Sequence, residues 1–166
     1  MLPPRFPVAV IVQRTPLDNR WVSERWEPVA VELDAGEPCA TPPQRIPSDA
    51  NVTRWRFAGY AIELHRSEAE GYFLNITAPS PKVFVMWRKT EDDGALAIRP
   101  EVVTVSYNEA ARLLDGGEQV EGVPMLPEVL AWMTPFVETN YKPEPKRKVR
   151  RNDPFAKDGS PGDRSR

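Results

Sequence analysis

At 166 residues the chain has room for one domain of ordinary size that buries its own core, and a second domain is not expected. Its 40% hydrophobic and 28% charged residues make an ordinary globular balance, but 19 prolines argue against long unbroken helices and for many loops and strand ends. A single cysteine, Cys39, excludes an internal disulfide and a thiolate metal cage, and the early apolar run Val8 to Val12 is too short for a membrane span or the core of a signal peptide; the expected setting is the cytoplasm.

The net charge of -2 hides a division. Residues 142–166 hold nine of the 22 basic residues and four of the 24 acidic ones, which leaves 13 basic and 20 acidic residues in 1–141. An acidic body of net -7 therefore carries a basic tail of net +5. The tail offers only Val149, Phe155 and Ala156 as apolar groups, too few to offset the entropy of ordering it, so 1–141 is expected to be a β-rich globular domain and 142–166 a disordered basic tail.

Period-two patterning dominates the body. Val8, Val10 and Val12 alternate with Ala9, Ile11 and Gln13; after a turn at Pro16-Leu17-Asp18-Asn19, Val29, Val31 and Leu33 alternate with Ala30 and Glu32. Residues 35–51 read as a Pro-rich loop in which Cys39 is a plain thiol. Thr53, Trp55 and Phe57, then Tyr60, Ile62 and Leu64, give a strand on each side of Ala58-Gly59, or one long strand with a bend or bulge there. A short connection, Ser67 to Gly71, leads to a strand with Tyr72, Leu74 and Ile76 on one face. Turns at Ala78-Pro79-Ser80-Pro81 and Thr90-Glu91-Asp92-Asp93-Gly94 bracket Val83, Val85 and Trp87 and lead to a strand within Ala95 to Val105. Such short connections imply antiparallel pairing, since parallel strands need long crossovers.

Two helices follow. Ser106 stands three residues before Glu109, a capping box that starts a helix at Tyr107, and Gly116-Gly117 stops it. Pro127 suits a first helical turn; Leu130, Met133 and Val137 form a stripe, and Pro135 predicts a kink or a break. The fold class expected is α+β: a mostly antiparallel β meander, barrel-like or a strongly twisted sheet, with two short C-terminal helices and the disordered basic tail.

The order of these pieces resembles a small bacterial family, domain-of-unknown-function family 3305. The matching residues are Pro7-Val8-Ala9-Val10-Ile11-Val12-Gln13-Arg14, Pro16-Leu17-Asp18-Asn19-Arg20-Trp21, Arg25-Trp26-Glu27-Pro28-Val29-Ala30-Val31 and Tyr72-Phe73-Leu74-Asn75-Ile76. They continue through Val83 to Arg88, Val103-Thr104-Val105-Ser106-Tyr107-Asn108-Glu109-Ala110 and Val123-Pro124-Met125-Leu126-Pro127, to Trp132 and Phe136-Val137. Pro135 and the 35–51 loop are local departures. Members of that family often lie near genes for formate dehydrogenase and molybdenum-cofactor handling, so the resemblance implies an accessory or maturation factor for a molybdenum- or tungsten-dependent formate dehydrogenase. It carries over no catalytic residues.

The residues themselves suggest binding rather than catalysis. The lone histidine, His65, beside Glu63, cannot assemble a zinc site, and no serine lies in a nucleophile-elbow sequence. Asp115-Gly116-Gly117-Glu118 ends a helix, the wrong polarity for a phosphate cradle. Glu91-Asp92-Asp93 reads as a solvated turn. No cofactor or metal is expected. The candidate partner-binding residues are Trp21 and Trp26, flanking a turn where an indole at the sheet rim can meet a partner, and the tail cluster Lys146, Arg147, Lys148, Arg150 and Arg151. Against these stand plainer accounts, in which both indoles cap the core and the tail only solubilises.

The partner expected is a protein, formate dehydrogenase subunits by the resemblance, and no membrane. One alternative is nucleic-acid binding through the tail with Arg54 or Arg56, weakened because alternation puts those arginines opposite the Trp55 ring. Another is a cofactor-handling protein with a carboxylate-lined pocket around Glu63 and His65.

Overall fold

The structure is a computed structural model, and it describes residues 2–38, 41–49, 51–91 and 96–143. Cys39, the centre of the Thr90 to Gly94 turn, and the basic cluster 146–151 lie outside them. Among the described residues there are seven strands: β1 (Arg5–Pro16), β2 (Glu24–Leu33), β3 (Gln44–Ile46), β4 (Thr53–Glu63), β5 (Lys82–Lys89), β6 (Ile98–Thr104) and β7 (Gln119–Pro124). Three helices accompany them: α1 (Ala69–Ile76), entered through a 3-10 turn at Arg66–Glu68, α2 (Tyr107–Asp115) and α3 (Pro127–Asn140).

All strand pairs are antiparallel, as the short connections require. They form two sheets, ordered β2-β1-β4-β3 and β6-β5-β7, so β4 returns to pair with β1 and β7 returns to pair with β5. The bend foreseen at Ala58-Gly59 is a bulge in one continuous strand: Val8 pairs with Tyr60 and Val10 with Phe57, so Ala9 alone faces two residues. Gly59 takes φ 90, which a side chain would resist. Two further register shifts fall beside prolines, at Pro28-Val29 in β2 and Pro100-Glu101 in β6. A proline brings no N–H to the ladder, so a bulge is where a strand tolerates one.

The period-two faces hold. Val8, Val10 and Val12 of β1, with Phe57 and Ile62 of β4, meet Val83 and Val85 of β5 in one buried core. The opposite face of the first sheet carries Gln13, Arg54, Arg56 and Glu32, with Ile11 buried among them. β2 runs beside β7 and β4 beside β6, but among the described residues no ladder joins the sheets, so the barrel-like arrangement is open at two seams. Across the β4/β6 seam the Tyr60 hydroxyl donates to the Pro100 carbonyl at 2.8 Å. The helices add Val129, Met133, Val137 and Tyr72 to the core, with Phe6 of β1 5.2 Å from the Trp132 ring and Tyr72 edge-on to Phe136 at 6.1 Å.

The expected strand at Tyr72 to Ile76 is instead the helix α1. Positions i, i+4 belong to both periods, and here the helical set Ala69, Tyr72, Phe73 and Ile76 faces inward while Leu74 is 41% exposed. Buried Asn75 fixes the choice: its amide donates to the carbonyls of Lys82 (2.7 Å) and Val105 (2.9 Å), and its oxygen accepts from Lys82 N–H (2.9 Å). Gly71 is part of the same packing, because a Cβ there would lie 2.2 Å from Ser106 Oγ. β7 was not foreseen, and three residues of the 35–51 loop form β3. α3 passes through Pro135 as one helix, with the hydroxyls of Thr134 and Thr139 bonded to carbonyls four residues back.

Candidate functional site

The two flanking tryptophans have different places. Trp21 sits at the tip of the β1–β2 hairpin with 85% of its surface exposed, next to Val22 at 51%. The tip is held in shape: Leu17 N–H donates to Ser23 O at 2.9 Å, and the Asn19 side-chain oxygen accepts from Trp21 N–H at 2.8 Å. An Asx-type turn therefore presents the indole to solvent on an ordered base.

Trp26 belongs to the core's rim. Its ring stacks on Trp55 at 5.0 Å and 23°, and its indole N–H donates to Glu24 at 2.9 Å. Register explains the meeting, since Trp26 lies opposite Arg14 and Trp55 opposite Val12, two places apart on one face of β1. The Arg14 guanidinium stands 5.9 and 5.7 Å from the two ring centroids and donates to the Thr53 hydroxyl. Below the stack, Trp55, Phe57, Ile98 and Leu96 with Pro42 and Pro43 line an apolar groove of about 390 Å³.

A second cleft, of about 360 Å³, follows the β4/β6 seam. Glu63 and His65 come together as the sequence suggested, with His65 Nε2 3.4 Å from the Glu63 carboxylate. Glu101, Thr104 and Glu109 join them from β6 and α2, and the Thr104 hydroxyl donates to Glu109 at 2.7 Å. These three were not legible as site residues, because only the pairing of sheets that share no ladder brings them beside β4. Among the described residues no three His, Cys, Asp or Glu are arranged to hold a metal ion.

Beneath this cleft the Tyr72 hydroxyl accepts from His65 N–H at 2.9 Å and lies 3.4 Å from the Glu63 carbonyl. Burial pushes its pKa up to about 12, and the negative charges of Glu68, Glu109 and Glu63 add to that against the opposing His65 hydrogen bond. Glu68 is itself tied down, accepting from Ser106 Oγ at 2.5 Å and pairing with Arg112.

On the outer sheet face Arg56 is surrounded by Glu32 (3.3 Å), Asp34 (3.4 Å) and Glu37 (3.5 Å), while Arg54 donates to Gln13 at 2.8 Å. Both point away from Trp55, as alternation requires. A phosphate backbone would meet carboxylates there before it met a free cation. Among the described residues no helix is long and apolar enough to cross a membrane.

The architecture defines a small α+β class of protein: two open antiparallel sheets around one core, with three helices against them. Within that class the chain belongs to the family described as Protein of unknown function (DUF3305), whose profile matches residues 7–150. No curated protein and no solved structure matches it.

Proposed function

We propose that the chain is a non-catalytic accessory protein that docks a protein partner through the β1–β2 hairpin tip, in the assembly or maturation of a molybdenum- or tungsten-dependent formate dehydrogenase. The observation that carries the docking reading is Trp21: a large indole held in water by an ordered turn, with exposed Val22 beside it. Tryptophan is the side chain most enriched among residues that dominate binding energies, and a pre-shaped tip loses little entropy on association. The choice of partner rests on the family's gene neighbourhood alone.

The cleft at Glu63 and His65 favours a second reading, a cofactor-handling protein. Its sign argues against that for phosphate-bearing cofactors, since three carboxylates line it and no Lys or Arg of the described residues does. Purification of the tagged chain from its native host, with mass spectrometry of co-eluting proteins, tests the first reading. Formate dehydrogenase subunits should be recovered with the wild type and lost with Trp21→Ser; a chain that elutes alone at native abundance contradicts it.

A further inference from the structure

The outer face of the second sheet is only partly covered by α2. The Tyr107 ring meets Phe84 of β5 edge-on at 6.2 Å, while beside it Val120 of β7 is half-buried and Gly122 exposed. Between helix and strand runs an apolar slot of about 170 Å³. Its helix wall is one stripe, Tyr107, Ala111 and Leu114 at i, i+4 and i+7, and Tyr107 and Leu114 are 55% and 54% exposed. Gly122 puts no side chain into the slot, so another backbone can approach closely there. Two large apolar side chains flanking one slot make a patch, unlike the scattered single residues that every surface carries.

The two ends of the stripe carry opposite charges. The Lys82 side chain borders Gly122 at the Tyr107 end, and Asp115 follows Leu114 at the other. Neither side chain has an ion pair or a hydrogen bond among the described residues. Such a stripe is complementary to itself when a two-fold axis crosses α2 near Ala111: Lys82 of each copy then meets Asp115 of the other, and Tyr107 of each meets Leu114 of the other. The two α2 helices run antiparallel, which sets the positive N-terminus of each beside the negative C-terminus of its neighbour. Ala111, at the axis, is small enough to let them come close.

We propose that the slot between α2 and β7 is the interface of a homodimer in which α2 packs antiparallel on α2 of a second copy. The slot shares no residue with the β1–β2 hairpin, so this inference goes beyond the docking reading and does not depend on it.

The test uses the full chain. Sedimentation velocity over a wide concentration range should show a reversible equilibrium between monomer and dimer. Leu114 is exposed in the monomer and enters the interface twice, so Leu114→Gln should raise the dissociation constant at least about tenfold while the far-UV circular dichroism stays unchanged. Lys82→Glu and Asp115→Lys should each weaken the dimer several-fold by bringing like charges together, and the double variant Lys82→Glu/Asp115→Lys should recover most of the wild-type affinity, a rescue that damage to the fold does not give. A monomer at every concentration, a dimer indifferent to Leu114→Gln, or a double variant no tighter than the single ones would each overturn the proposal.

Discussion

Asn75 joins three segments with one carboxamide, bonding both backbone groups of Lys82 and the carbonyl of Val105. Replacing it by alanine removes all three of these hydrogen bonds from a largely buried position, so Asn75→Ala should cost about 3 kcal/mol in denaturant unfolding; a loss under about 1 kcal/mol would show that water replaces the amide. Its role was not legible in the sequence, because an asparagine within an alternating run gives no hint that its partners lie seven and thirty residues away. Tyr72 yields a pH prediction. Its folded pKa of about 12 exceeds the ordinary 10.0, so the unfolded chain ionises first. The stability it contributes is complete below pH 10 and is lost as pH rises towards 12. In Tyr72→Phe that part of the alkaline decline should vanish, and an identical decline in wild type and variant would assign it elsewhere.

Among elements, α2 and the edges of β4 were readable because their signals are local. Ser106 does cap α2, accepting Glu109 N–H at 3.1 Å, as the capping box predicts. It also donates to Glu68, which the sequence did not reveal. Ser106→Ala should therefore cost about 2 kcal/mol, the upper end for a lost cap, measured by thermal or denaturant unfolding; a cost of a few tenths would mean the Glu68 contact contributes nothing. α1 was misread for the reason that makes short runs ambiguous: Tyr72 and Ile76 satisfy periods of two and of 3.6 alike, and tertiary packing decides between them, through the Asn75 bonds to Lys82 and Val105 and the fit of Gly71 on Ser106. The β1–β2 tip makes the opposite prediction. Trp21 touches little of the fold, so Trp21→Ser should change stability by less than about 0.5 kcal/mol, and a larger loss would mark the indole as structural.

For the whole molecule, composition and alternation were enough to read one antiparallel, β-rich body with a single core. What they could not supply was the relation between the sheets. β4 meets β6 through Tyr60 and Pro100 rather than through a ladder, and no turn or period encodes that approach. The cleft with Glu101 and Glu109 was hidden for this reason, whereas Trp21, Trp26 and the Glu63-His65 pair came from single positions near turns and strand ends. Under the proposed function, the ordered, solvent-facing hairpin tip is the surface that meets the partner. Hydrogen–deuterium exchange of the full chain, alone and with purified formate dehydrogenase subunits, measures it most directly. Exchange across Leu17 to Arg25 should slow on mixing, and Trp21→Ser should abolish the slowing; no protection on mixing, or protection confined to other segments, would rule the hairpin tip out as the docking surface.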